Sequence, residues 1–174
     1  SVSLTLSSTF SDTLNLKDVG ALCDNGTEDS AAFQQAVTQV TTDPKYKNGV
    51  KLVIPFGTCV INSPLIGTIS DNRSVYLEGS GKNSSTLKFG SSGINITLTN
   101  NNESFSYGYF GITHTGTGTT DTGIQTTSTS FGATSFMSHV RVGGLNDAPH
   151  FYNAVIYTSI GPTIDDLTIV GPNA

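Results

Sequence analysis

The side chains best suited to chemistry in this sequence are three carboxylates, Glu78 and the adjacent pair Asp165 and Asp166. Two carboxylates on one face can cleave a glycosidic bond when they lie ~5–5.5 Å or ~6.5–9.5 Å apart. Neighbouring residues of a strand point to opposite faces, so Asp165 and Asp166 cannot serve one substrate unless they lie on a turn. The pair therefore offers one catalytic or calcium-binding carboxylate, or it is a solvated turn before a strand. We favour the solvated turn.

Four further side chains are of types that bind sugars: Tyr76, Tyr107, Tyr109 and Arg141. Aromatic rings offer apolar platforms, and polar side chains around them form the hydrogen bonds. Tyr107 and Tyr109 stand next to the nearly uncharged, threonine-rich residues 113–130, which we expect to form a long loop on the surface. Packing in the core or between subunits is an equally good interpretation of these rings.

The sequence predicts no metal site and no cofactor. His114, His139 and His150 lack the spacing of metal ligands, and each is expected to be a polar surface or turn residue. Calcium at Asp165 or Asp166 is an alternative that no cluster of ligands supports.

The chain carries few charges, and this narrows the choice of partners. Charged residues make up 12% of the 174 residues, and the net charge is −5. Soluble domains average ~25% charged residues. Lysines and arginines are scattered singly, so no basic patch for nucleic acid is predicted. No apolar run approaches the ~20 residues that span a bilayer, so we expect no membrane insertion.

One helix and many short strands must position the candidate residues. Residues 28–41 place Phe33, Val37 and Val40 on one face of a helix, with Thr27 as its N-cap. The helix should end near Thr42, because the residue before a proline avoids the α conformation.

From Val50 onward, short strands recur with a period near 30 residues. One set of strands begins near residues 93, 123 and 153. A second set begins at Phe110, Val140 and Leu167, with Val75 as an earlier member. Two strand sets with a single period are typical of the stacked coils of a parallel β-helix. With these apolar residues inside, Tyr76, Glu78 and Arg141 would point outward, Glu78 and Arg141 in different columns.

Residues 18–61 carry short motifs in a specific order. Asp18-Val-Gly-Ala is followed by Asp24-Asn-Gly-Thr-Glu-Asp at the helix entry and by a strand that continues through Pro55-Phe-Gly-Thr-Cys. This order resembles the opening of the pectate-lyase-like, single-stranded, right-handed β-helices, a group that includes phage tailspikes and tail fibres. The departures are an extra Asn25, Glu28 in place of an aspartate, and Cys59 where an aromatic residue is usual.

The resemblance implies an all-β fold, a right-handed parallel β-helix with the helix of residues 28–41 capping its N-terminal end. We expect a lead-in segment at residues 1–17, the cap turn and helix at 18–49, and β-helix coils at 50–174. Because the sequence stops directly after a strand without a capping element, we expect the coils to continue beyond this chain.

The resemblance also implies a function with polysaccharides. The leading interpretation is a homotrimeric phage tailspike or tail-fibre protein, located on the virion, that binds bacterial surface polysaccharide and degrades it in its full-length form. One alternative is a secreted microbial polysaccharide lyase or glycoside hydrolase of the same fold. Another is a non-catalytic structural module of a virion or adhesin. Whether the protein is an enzyme stays open, and this segment alone is not expected to be a complete catalyst.

Two cysteines, Cys23 and Cys59, flank the predicted cap helix. In an oxidising compartment they could form a disulfide that joins the entry turn to the following strand. Two partly buried free thiols are an equally good interpretation.

Overall fold

A computed structural model describes residues 12–116, 120–130, 133–143, 151–158 and 161–170. Within them lie one α-helix, α1 (Ser30–Thr42), and thirteen strands. The strands are β1 (Asp12–Asn15), β2 (Asp24–Glu28), β3 (Val50–Val53), β4 (Gly57–Ile61), β5 (Leu65–Ile69), β6 (Ser74–Glu78), β7 (Ser85–Phe89), β8 (Ile94–Leu98), β9 (Ser104–His114), β10 (Thr122–Ser128), β11 (Thr134–Val142), β12 (Asn153–Thr158) and β13 (Gly161–Ile169). No helix in the described ranges is long and apolar enough to cross a membrane.

All pairings between these strands are parallel, and they form two sheets. Sheet B has the order β12-β10-β8-β5, and the other nine strands form sheet A. The register shows the predicted period, because Tyr107 pairs with Met137 and Ile94 pairs with Ile124, each 30 positions later. Each coil crosses sheet A and then sheet B, with one apolar core between them. The predicted parallel β-helix is confirmed.

Sheet A consists of two columns of strands that merge along the chain. β1, β3 and β6 stack in one column, and β2, β4 and β7 stack in the other. β9 is long enough to pair with both, since its first half lies on β6 and its second half on β7. β11 and β13 continue this long strand. Residues 12–15 of the predicted lead-in segment therefore belong to the sheet, as strand β1.

The register of β6 differs from the prediction. Phe110, Val140 and Leu167 are in register, as predicted. Val75, however, pairs with Phe105 and not with Phe110. β9 has two stretches whose apolar side chains point into the core, one before Tyr109 and one after it. β6 pairs with the first stretch. The prediction of a long loop at residues 113–130 is also wrong, because Thr113 and His114 end β9 and residues 122–128 form β10.

Helix α1 takes the place of a sheet B strand in the first coil and covers β5. Phe33 and Val40 are fully buried and Val37 nearly so. Gly67 leaves room for the helix, because a Cβ there would lie 2.8 Å from Val37 Cγ1. The Gln34 amide donates to the Ile66 carbonyl at 2.9 Å and accepts from the Ile66 N–H at 3.1 Å. The side chain thus pairs with the free edge of β5 as a neighbouring strand would, and the predicted cap is confirmed.

The entry to α1 differs from the prediction in one detail. The helix begins after Asp29 and not after Thr27, and it ends at Thr42 as predicted. The Asp29 carboxylate accepts hydrogen bonds from the backbone N–H groups of Leu22 and Cys23. Asp24 accepts from the N–H groups of Thr27 and Gly26, which lower the pKa of its carboxyl group. Both aspartates therefore stabilise the turns that lead into the helix.

Cys23 and Cys59 form a disulfide, which decides between the two alternatives left open above. The bond joins the turn before β2 to β4, and both residues are buried. Their sulfur atoms and a carboxylate oxygen of Asp29 lie within 4.8 Å of one another. The sulfurs are bonded to each other and the Asp29 carboxylate holds two backbone N–H groups, so this group stabilises the fold and is not a metal site.

Candidate functional site

Three bulky residues occupy the same position in successive coils of sheet A, at the corner where its two columns meet. Tyr109, His139 and Asp166 directly precede the in-register residues of β9, β11 and β13. Each has a left-handed backbone, with φ of 60°, 54° and 51°. This conformation costs ~1–2 kcal/mol for a residue with a side chain, and such strain is concentrated at functional sites. We call Tyr109, His139 and Asp166 the corner stack.

The corner stack is a continuous line of contacts on the outer surface. The rings of Tyr109 and His139 are stacked, with centroids 4.7 Å apart and planes 14° apart. His139 Nε2 lies 3.7 Å from the Asp166 carboxylate. His139 Nδ1 lies 2.6 Å from the hydroxyl of Ser138. About 40% of each side chain faces solvent at His139 and Asp166, and Tyr109 is exposed to the same degree.

The loop of residues 79–84, between β6 and β7, forms a wall beside the corner stack. Lys82 Nζ lies 3.1 and 3.2 Å from the two oxygens of the Asp166 carboxylate and 3.4 Å from the Thr168 hydroxyl. Asn83 Oδ1 accepts a hydrogen bond of 2.5 Å from Arg141 Nη1. The loop thus crosses the outer face of three coils and brings a cation to a residue 84 positions later.

Arg141 lies under this wall with little contact with solvent. The residue is 6% exposed, and burial lowers the pKa of its guanidinium. Its guanidinium runs along the backbone of Gly111, where a Cβ would lie 3.1 Å from Nη2. Its buried Nε has no hydrogen-bond partner among the described residues. A buried donor without a partner costs free energy, so this part of the guanidinium is held at a cost beneath the wall.

Asp165 and Asp166 are not the solvated turn that we favoured, since both belong to β13. The left-handed backbone at Asp166 breaks the alternation of side chains within this strand. As a result Asp165 lies 3.4 Å from the Ser138 hydroxyl, while Asp166 contacts His139 and Lys82. The two carboxylates therefore contact two adjacent residues of β11, Asp165 the hydroxyl of Ser138 and Asp166 the ring of His139.

Glu78 lies farther along the same face and is paired. Its carboxylate is 2.8 Å from Lys51 Nζ. In register it is followed by Gly108, Ser138 and Asp165, so three strand spacings of ~4.8 Å separate Glu78 from Asp165. A gap of ~14 Å is too wide for the two carboxylates of a glycosidase. Glu78 and Asp165 therefore do not form a catalytic pair within this chain.

Besides Arg141, two more of the predicted sugar-binding residues are buried. Tyr107 is completely buried, and its hydroxyl lies 2.7 Å from the hydroxyl of Thr126. Tyr76 is 3% exposed, and burial, followed by the charges of Glu78 and Tyr109, raises the pKa of its hydroxyl. The Tyr76 hydroxyl lies against Gly108, where a Cβ would come within 2.1 Å. Tyr107 belongs to the core and offers no stacking face. Tyr76 is buried against Gly108, the residue directly before Tyr109.

His114 is not the surface residue that we predicted. It is fully buried, and its Nε2 lies 3.0 Å from the Asp121 carboxylate. Its ring packs against Phe151 with centroids 4.7 Å apart. Asp121 also accepts the backbone N–H groups of Tyr152 and Asn153 through its carbonyl, so this pair joins two turns of the β-helix. His139 is exposed as predicted, and His150 lies outside the described residues.

The comparison with protein families agrees with this architecture. The model of the family "Rhamnogalacturonase A/epimerase, pectate lyase-like" matches residues 13–140, which is more than half of the chain. The chain belongs to this pectate-lyase-like family. The match contains Lys82, Tyr109 and His139 and ends just before Arg141, so Asp165 and Asp166 lie beyond it. No curated protein and no solved structure matches the chain. Membership of this family indicates a function related to polysaccharides.

The sequence predictions named Tyr109, Asp165, Asp166 and Arg141 but missed His139, Lys82, Ser138 and Asn83. A signal for His139 was present. Tyr109, His139 and Asp166 each stand immediately before a member of the second strand set, so the repeat already placed them in one column. Nothing in the local sequence marks Lys82, whose contacts come from a loop that folds over later coils.

Proposed function

We propose that this chain binds bacterial surface polysaccharide at the corner stack, as part of a trimeric phage tailspike or tail-fibre protein that degrades the polysaccharide in its full-length form. The observation that carries the proposal is the stack of Tyr109 on His139 beside Asp166 on an exposed corner. Membership of a pectate-lyase-like family supports a polysaccharide as the ligand. The virion location and the trimer rest on the resemblance of residues 18–61.

The corner offers the two kinds of contact that sugars use. The exposed rings of Tyr109 and His139 can pack against the C–H face of a pyranose ring. Asp166 contacts His139, Lys82 contacts Asp166, and Asn83 belongs to the same wall, and all three can exchange hydrogen bonds with hydroxyl groups. Arg141 lies beneath these groups and holds Asn83 in place through a hydrogen bond from Nη1. An aromatic platform with a few polar groups around it is the usual composition of a small-molecule site.

The backbone holds this platform in place before any ligand binds. The three residues of the stack are anchored in long strands that pair on both sides within the described residues, apart from the last strand, β13. The side chains therefore lose little conformational entropy on binding, which favours affinity. A surface loop with the same residues would lose more.

The proposal predicts that wild-type protein binds at least one member of a panel of purified capsular polysaccharides and lipopolysaccharides immobilised on a biosensor. Tyr109→Ala and His139→Ala should each weaken this binding by about tenfold, because a lost ring contact is worth ~0.5–1.5 kcal/mol beyond its buried area. His139→Asn should weaken binding too, while tolerating the left-handed backbone better than alanine does.

Thr134→Ala is the matched control, since Thr134 is exposed at the start of β11 and is separated from His139 by five positions. It should bind as wild type does. Wild-type binding to no member of the panel would contradict the proposal. Equal binding by wild type, Tyr109→Ala and His139→Ala would show that the glycan site lies elsewhere.

A secreted lyase or glycoside hydrolase is the second candidate function. The observation in its favour is His139, which lies between the Ser138 hydroxyl and the Asp166 carboxylate, since an exposed histidine with such neighbours can transfer protons. Incubation of this chain with the bound polysaccharide separates the two candidates. Release of reducing ends or of unsaturated sugars that is abolished by Asp166→Asn would favour the enzyme. Binding without cleavage would favour the tailspike interpretation.

A further inference from the structure

The four strands of sheet B contain no charged residue. β5, β8, β10 and β12 read Leu65-Ile-Gly-Thr-Ile, Ile94-Asn-Ile-Thr-Leu, Thr122-Gly-Ile-Gln-Thr-Thr-Ser and Asn153-Ala-Val-Ile-Tyr-Thr. The whole chain has 21 charged residues, 8 basic and 13 acidic. On sheet A, by contrast, outward positions hold Lys51, Glu78, Lys88 and Asp165. The two faces of the molecule therefore differ sharply in charge.

The outward residues of sheet B form two ordered columns. One consists of four threonines, and the other consists of two amides between two isoleucines. The first column is Thr68, Thr97, Thr127 and Thr158, and the second is Ile66, Asn95, Gln125 and Ile156. We call these eight residues the threonine face. Ile66 is 58% exposed, an unusual position for a large apolar side chain.

A groove runs beside the second column. It is lined by Ile66, Asn95 and Gln125 and by residues of the turns before β5, β8 and β10. The threonine face therefore combines a flat array of hydroxyl and methyl groups with an exposed isoleucine and a concavity. A flat array of hydrogen-bonding groups beside a groove suits contact with another protein surface. None of the eight residues of the face is an aromatic residue that could stack on a sugar.

The net charge of the chain favours this face over the rest of its surface for contact with a second copy. A protein of net charge −5 repels a second copy of itself over most of its surface. The threonine face is free of charge over four strands, so two copies can meet there without placing like charges opposite each other. Around a symmetry axis that passes through this face, the same residues of each copy come close together, and threonine and amide side chains can be both donor and acceptor in such a contact.

We infer that the threonine face is the surface at which further copies of this chain associate. It gives a contact surface to the trimer in the proposed function, but it does not depend on polysaccharide binding, because it lies on sheet B and the corner stack lies on sheet A. Association through sheet B leaves the corner stack of each copy exposed.

Analytical ultracentrifugation over a series of protein concentrations tests this inference. Wild type should sediment with the mass of two or three chains of 18.2 kDa each. Thr97→Lys places a charge at the centre of the face and should weaken association at least tenfold. Thr58→Lys is the matched control, because Thr58 faces outward on sheet A opposite Asp24, and it should associate as wild type does.

Circular dichroism and thermal unfolding check that each variant is folded. If Thr97→Lys is unfolded, Gln125→Glu is the second variant, with the same expected loss of association. A monomeric wild type at every concentration would overturn the inference. Folded Thr97→Lys and Gln125→Glu variants that associate as wild type does would overturn it as well. Polysaccharide binding is measured separately, so failure of one proposal is distinguishable from failure of the other.

Discussion

Phe33→Ala is expected to lower the free energy of unfolding by about 3–5 kcal/mol. The Phe33 ring is completely buried in α1, the element that covers the first coil and the free edge of β5. Its removal leaves a cavity between the helix and the β-helix core, where close-packed neighbours collapse only in part. Urea denaturation followed by circular dichroism measures the loss.

Gln35→Ala is the control for this experiment, because Gln35 lies on the exposed side of the same helix. It should change the free energy of unfolding by less than about 0.5 kcal/mol, the usual range for surface substitutions. A loss below about 1 kcal/mol for Phe33→Ala would contradict the assignment of α1 as the cap of the core.

Removal of the disulfide should have an effect of similar size. The bond closes a loop with a sequence separation of 36 residues. The loop-entropy relation gives about 4 kcal/mol for a loop of this length. The double variant Cys23→Ala/Cys59→Ala should therefore unfold at a markedly lower urea concentration than wild type does. We expect it to remain folded in water, since α1 still covers the core.

A reducing agent supplies the internal control for the disulfide. It should lower the stability of wild type toward that of the double variant and leave the double variant unchanged. Equal stability of oxidised wild type and the double variant would contradict a stabilising role for the bond between Cys23 and Cys59.

The cap and the coil architecture could be predicted because their signals are local or periodic. The apolar residues Phe33, Val37 and Val40 recur at helical spacing, and Pro44 fixes where the helix ends. The 30-residue period of the strands reports directly on the length of one coil. Both patterns can be recognised in the sequence without knowledge of tertiary contacts.

The corner stack could not be predicted in the same way, because a left-handed residue in each strand interrupts the alternation of side chains on which the prediction relied. Counting alternate residues through β13 puts Asp165 and Asp166 on opposite faces, while a left-handed Asp166 brings them to a common neighbourhood. Tyr107 and Tyr109 were both named because they stand beside residues 113–130, but only Tyr109, at the kink, is exposed, and Tyr107 lies in the core. A left-handed backbone is uncommon in any residue other than glycine, so the residue types at these positions did not indicate the kinks.

Contacts between distant parts of the chain account for the other differences. Lys82 and Asn83 reach Asp166 and Arg141 from a loop that precedes them by 84 and 58 positions. His114 can be buried because Asp121 is its hydrogen-bond partner, and nothing in the sequence indicated that these two residues pair. Burial of a polar group depends on whether a partner is placed beside it, and the fold decides that placement.

The central claim is that the corner stack contacts the glycan, and nuclear magnetic resonance tests it most directly. An oligosaccharide from the polysaccharide that binds tightest is titrated into isotopically labelled protein. The ring resonances of Tyr109 and His139 should shift and saturate with the oligosaccharide concentration, while the methyl resonances of Thr97 and Thr127 should not move. Saturable shifts confined to residues away from the corner, with the Tyr109 and His139 rings unchanged, would contradict the claim.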